Sequence, residues 1–190
     1  MRISALITAV AVALALPALA APATYLLDRD DSSVRFEVDF GADAITGAFP
    51  VEQVDLTLDF ERAANSSVSV ALSAAGAEAN FIFATEALRG PSVLDTANHP
   101  TVRFESTAVR AIGDTAEVDG NITIRGVTRP ITLNAEVFRP AGTAPGDRAR
   151  LIVRLTGALS RAAFGANGWA NFVGDEVRLR VVATVDRSDG

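Results

Sequence analysis

Between Ile122 and Leu133 apolar and polar residues alternate on both sides of an Arg125-Gly126 break: Ile122 and Ile124, then Val127, Ile131 and Leu133. A period of two marks half-buried strands, because successive side chains leave a strand on opposite faces. Two such runs about a short break predict an antiparallel hairpin. The same pattern recurs along the chain. Val34, Phe36, Val38 and Phe40 alternate with Arg35, Glu37 and Asp39, and Val54, Leu56 and Leu58 with Asp55, Thr57 and Asp59. Val102 and Phe104, then Leu151, Val153 and Leu155, then Val177, Leu179 and Val181 do the same. A chain built almost wholly of hairpins must remove its sheet edges, which leaves a closed barrel or a sandwich.

The period changes between Ser73 and Pro91. Phe81, Thr85 and Leu88 fall on one helical face, which predicts a short helix near Ala79–Leu88, ended by Gly90-Pro91. Gly47 inside the strand Ile45–Phe49 predicts a bulge or bend. Asp28, Asp30 and Asp31 read as a solvated turn before the first strong strand, and Arg139–Arg148 as the longest loop. The segment Ser160–Gly174 is irregular, with Phe164, Trp169 and Phe172 among glycines. The total is about eight or nine short strands and one helix, with no room for βαβ units.

Arg2 followed by the apolar run Ile3–Leu16, Pro17 and Ala18-Leu19-Ala20 reads as a signal peptide cleaved after Ala20, since a spanning helix needs about 20 apolar residues. Residues 21–190 then form one domain with a sizeable core. There is no cysteine, which fits export to a periplasm and removes thiol and disulfide chemistry. A net charge of −6 argues against nucleic acid as a partner and against strong adsorption to anionic membranes.

Residues able to do chemistry are few. His99 is the only histidine, in a loop entering a strand, and nothing in the spacing places Ser106 or Asp95 around its ring. The sequence offers no metal-ligand cluster, phosphate loop or nucleophile elbow. No catalytic residue and no metal ligand is assigned. What remains is apolar. An eight-stranded barrel either fills its centre with side chains or holds one small ligand, and periodicity alone leaves both open.

Four segments together resemble the YceI-like family, the lipid- or polyisoprenoid-binding YceI domain. They are Asp31-Ser32-Ser33-Val34-Arg35-Phe36 with Gly47-Ala48-Phe49; Leu88-Arg89 through His99-Pro100-Thr101-Val102-Arg103-Phe104; Gly120 through Leu133; and Ser160-Arg161-Ala162-Ala163-Phe164-Gly165 with Val173-Gly174-Asp175-Glu176-Val177. The resemblance spans Tyr25 to Arg187. It implies a lipocalin-like, eight-stranded antiparallel barrel with a short capping helix, no catalytic activity as hallmark, and an isoprenoid or quinone-like molecule along the axis. The implied tunnel is lined by Phe36, Val38, Phe40, Phe49, Phe104, Ile122, Ile124, Leu133 and Val153. Phe81 and Leu88 on the helix would cap it, and Phe164, Trp169 and Phe172 would border a mouth. Separately from the resemblance, Arg89 and Arg161 are the candidates for head-group contacts near a mouth, with solvated surface arginines as the alternative. A homodimer is compatible with this picture, and stable membrane insertion of the mature chain is not expected. The chain departs from the family pattern at Asp31, where a His usually precedes the Ser, at Ala163, usually acidic, and in the Ala-rich Ser73–Asn80.

The leading expectation is therefore a periplasmic carrier of an isoprenoid or similar long-chain lipid. A filled barrel acting through its surface as a structural or stress-response adaptor, and an enzyme on a small lipophilic substrate, are the alternatives.

Overall fold

The computed structural model describes residues 22–188, and the predicted leader, Met1–Ala20, lies outside them. The strands are β1 (Ala23–Phe40), β2 (Asp43–Phe49), β3 (Val51–Leu58), β4 (Ser67–Ser73), β5 (Glu78–Ala79), β6 (Thr101–Ile112), β7 (Thr115–Ile124), β8 (Val127–Phe138), β9 (Arg150–Ser160) and β10 (Val173–Arg187). Among the described residues there is one α-helix, α1, over Ile82–Arg89. The sheet runs β10-β9-β8-β7-β6-β4-β3-β1, and β1 pairs β10 to close it. Every pairing is antiparallel. The result is an eight-stranded closed barrel.

Ten strand segments make eight staves because two staves are broken. β2 and β3 lie end to end along β1, with Phe49 opposite Val34 and Leu56 opposite Tyr25. Pro50 stands between them, where its missing N–H interrupts the ladder. β4 and β5 likewise follow one another along β3 and β2. The hairpin expected at Arg125-Gly126 is present as a two-residue connection. Both residues have positive φ, 51° and 73°, as the turn that matches strand twist requires.

Three expectations need correction. The acidic cluster is no turn. β1 is continuous through it and bulges between Asp28, which faces Thr184, and Ser33, which faces Val182. Arg150 from β9 bonds Asp28, Asp31 and Asp186 at 2.6, 2.8 and 2.8 Å and offsets part of the cluster's charge. The helix begins at Ile82 rather than Ala79, because Glu78–Ala79 extend the sheet and the Thr85 hydroxyl accepts the Ala79 N–H at 2.9 Å. The last strand starts at Val173, inside the segment expected to be irregular.

Inward residues form two apolar clusters. The larger gathers Val102, Phe104, Val118, Ile122, Ile131, Leu133 and Phe164. The smaller gathers Tyr25, Leu151, Val153 and Val185 near the end where β1 begins.

Candidate functional site

The interior is hollow. A cavity of about 640 Å³ follows the barrel from the α1 end, bordered by Phe81, Ala84 and Trp169, to the opposite end, bordered by Asp59, Ala63 and Thr115. That size lies within the range of small-molecule sites. Its walls are mostly aliphatic and phenyl groups from every stave, with Ser32, Ser33, Asp59, Ser66, Ser67, Asp114, Thr115 and Arg161 as the polar residues that also border it.

Two phenyl rings of the wall have room because glycines lie against them. Phe36 on β1 pairs with Gly47 on β2, where a Cβ would meet the ring at 2.4 Å. Phe104 on β6 crosses Gly120 on β7 at the same 2.4 Å. Gly47 thus marks neither bulge nor bend; it is the floor under a phenyl ring. Phe49 packs on Phe36 with ring centroids 5.5 Å apart, a tilted aromatic pair.

The positions assigned to a tunnel fall mostly on this wall. Phe36, Val38, Phe40, Phe49, Phe81, Leu88, Phe104, Ile122, Ile124, Leu133, Val153, Phe164 and Trp169 all border the cavity. Phe172 does not; it is exposed, and its carbonyl accepts the Gly41 N–H at 3.2 Å. Val54, Leu56, Val118, Ile131, Leu155 and Leu179 also border the cavity. They sit on the same alternating faces and were recognisable by the same period of two.

The two arginines assigned to a head group are engaged by backbone. Arg161 is buried, and its guanidinium donates to the carbonyls of Gly174, Ala166, Gly168 and Val173 at 2.7, 2.5, 2.7 and 2.8 Å. Burial pulls its pKa below the ordinary guanidinium value, partly offset by the Asp175 charge. Its task is to hold the β9–β10 connection, which carries Phe164 and Trp169. Arg89 Nε donates to the Ala77 carbonyl at 2.9 Å and is not on the cavity wall. At the other end Asp59 is buried and accepts the N–H groups of Glu61 and Arg62 and the Asn65 amide, which together hold its carboxyl below the usual range.

Sequence reading missed Arg125. Its guanidinium reaches from the β7–β8 turn to the carbonyls of Gly165 and Pro91, joining three connections at the α1 end. His99 lies against that turn: a Cβ on Gly126 would stand 3.1 Å from its ring. Asp95 bonds Asn98, and the Ser106 hydroxyl accepts the Val68 N–H at 2.9 Å, so neither orients His99 as a triad partner would.

Comparison with known proteins agrees with this geometry. The family profile described as YceI-like domain matches residues 25–185. A UPF0312 protein of Vibrio parahaemolyticus is 32% identical over 158 residues, covering 80% of this chain and 83% of its own. A UPF0312 protein of Vibrio campbellii is 30% identical over 188 residues, covering 96% of this chain and 99% of its own. Among solved structures, Burkholderia cenocepacia BcnA superposes with a TM-score of 0.75 at 20% identity, over 83% of this chain and 98% of that one. A Campylobacter jejuni YCEI protein superposes with a TM-score of 0.61 at 19% identity, over 76% and 85%. At these identities the superpositions speak to the fold.

Proposed function

The chain belongs to the YceI-like family, and from that premise we propose that its barrel carries an isoprenoid or similar long-chain lipid along its axis, in the periplasm after export. One observation carries the reading. The cavity runs between both ends of the barrel behind apolar walls, and the buried Asp59 and Arg161 that border it are already bonded within the protein. Such a wall offers desolvation and few directional bonds. It suits a ligand that gains about 0.8 kcal/mol per buried methylene and asks for no polar partner. About twenty such carbons give a gross gain of ~16 kcal/mol, reduced by the ordering of chain and ligand. On this reading selection acts through length and width, and the protein binds without catalysing.

Solvent extraction of protein purified from cells expressing the full chain, followed by mass spectrometry, tests this directly. A stoichiometric prenyl or other long-chain lipid is expected. Repeated recovery of folded, empty protein overturns the reading. Phe104→Asp and Ile124→Asp place an unpaired carboxylate against the tail and are expected to abolish retention.

A further inference from the structure

Phe40, Phe81, Ile82, Phe83, Trp169 and Phe172 stand exposed at one end of the barrel. They form two arcs of one rim. Phe81–Phe83 open α1, where the Asn80 N–H donates to the Thr46 carbonyl of β2 at 2.8 Å. Trp169 and Phe172 lie on the β9–β10 connection, and the bond from Gly41 to Phe172 seats that connection beside the β1–β2 turn and Phe40. Phe40, Phe81, Phe83 and Trp169 border the cavity, so the rim surrounds its opening. The outermost side chains are bare: Ile82 is 69% exposed, Phe83 77%, Trp169 61% and Phe172 65%.

The chemistry of the rim is distinctive. No charged residue occurs from Ala79 to Thr85 or from Ala162 to Gly174, where Asn80, Asn167 and Asn171 stand between the apolar groups; carboxylates flank Phe40, at Asp39 and Asp43. The opposite end is different. There the exposed Phe60 and Phe138 lie under the guanidinium groups of Arg148 and Arg154, 4.4 and 4.7 Å from the ring centroids. Among the described residues no cation covers a ring of the rim. At 150–250 Å² per aromatic side chain, the rim leaves on the order of 700 Å² of apolar surface in water, more than a monomer ordinarily exposes in one patch.

We propose that this rim is a peripheral docking surface for a lipid bilayer, entered by side chains to the depth of the headgroup–acyl boundary. The purpose of docking rests on the carrier reading; the surface itself rests on the rim. Continuity with the cavity opening selects a bilayer over a second copy of the chain. A bilayer extends the apolar path outward from the mouth, whereas a second copy seated on the same rim seals both mouths. Uncharged segments bearing Trp, Phe and Asn suit the boundary between headgroups and hydrocarbon. The net charge of −6 makes electrostatic attachment to anionic lipid the wrong mode, so docking is apolar and insensitive to salt. No helix of the described residues is long and apolar enough to cross a membrane, in keeping with shallow insertion of side chains.

Trp169 is the only tryptophan and reports on its own environment. With phosphatidylcholine vesicles its emission is expected to shift to the blue and to be quenched when brominated lipid is included, equally at low salt and at about 1 M NaCl. Ile82→Asp removes an apolar rim side chain that is not on the cavity wall, and puts a carboxylate in the first turn of α1, where it favours the helix. It is expected to lower vesicle partitioning roughly tenfold with an unchanged melting curve and unchanged extractable lipid. Unchanged Trp169 emission, partitioning lost at high salt, partitioning unaffected by Ile82→Asp, or a stable dimer in sedimentation that ignores vesicles would each overturn the proposal. Vesicle docking by protein without extractable lipid ends the carrier reading and keeps the docking surface. Extractable lipid without vesicle docking does the reverse.

Discussion

Single residues do two kinds of work in this barrel: they make room, or they tie loops. Gly47 makes room, since an added Cβ would stand 2.3 Å from the Glu78 carbonyl oxygen as well as 2.4 Å from the Phe36 ring. Backbone and a buried ring must both give way, so Gly47→Ala is expected to lower stability by about 2 kcal/mol, read as a shifted urea midpoint with an unchanged slope. Arg161 ties loops. Its planar fork meets four carbonyls in different directions, and truncation strands them where water reaches poorly. Arg161→Ala is expected to cost about 2–3 kcal/mol, and Arg161→Lys to recover only part of it, because one ammonium cannot span four acceptors. Equal melting temperatures for the wild type and both variants would show that the β9–β10 connection holds itself.

Among the elements, the seam between β1 and the β2–β3 stave is interrupted in its middle. β1 pairs β3 only over Ala23–Tyr25 and pairs β2 from Val34 onward. Between these stretches Arg29 bridges the gap, its guanidinium donating to the carbonyls of Val51 and Glu52. A ladder replaced by one side chain opens more easily than the pairs around it. Arg29→Ala is expected to speed amide exchange in residues 26–33 and 51–55, leaving β7 and β8 unchanged; uniform acceleration across the barrel would contradict a local seam. This seam also marks where sequence reading ended. Alternation revealed the strands and their inward faces, because the period of two is written in consecutive residues. Bulges, the break at Pro50 and the closure of β1 on β10 depend on the partner strand, which no local window contains. The start of α1 was misplaced for the same reason: Ala79 is taken by β2, and propensity cannot see that pairing. Arg125 and Arg161 were illegible as ties because their acceptors are carbonyls that the fold alone brings near.

At the scale of the whole molecule, the bonded carboxylates set the response to acid and the hollow centre sets the response to added volume. Arg150 beside Asp28, Arg178 beside Asp39, Asn65 beside Asp59, Arg110 beside Asp119 and the Ser160 hydroxyl beside Asp175 are the leading causes that lower these carboxyl pKa values. A carboxyl depressed in the folded state contributes its full stability above the unfolded value near 4 and loses it as pH falls through the folded value. The melting temperature is therefore expected to be level from pH 7 to about 5 and to fall below about pH 4. The centre responds to volume. Ala135 on β8 is buried and borders the cavity. In a close-packed interior Ala135→Phe would overfill the site and cost about 1–3 kcal/mol. Here the ring has empty space to enter and gains apolar burial, so the empty protein is expected to keep or raise its melting temperature. On the proposed carrier reading the same ring takes space that a lipid tail would use, so extractable lipid is expected to fall. Stability gained while cargo is lost is the signature of a hollow used for binding, and calorimetry paired with lipid extraction reads both; a variant that loses stability and keeps its lipid would place Ala135 in packed wall, away from the tail.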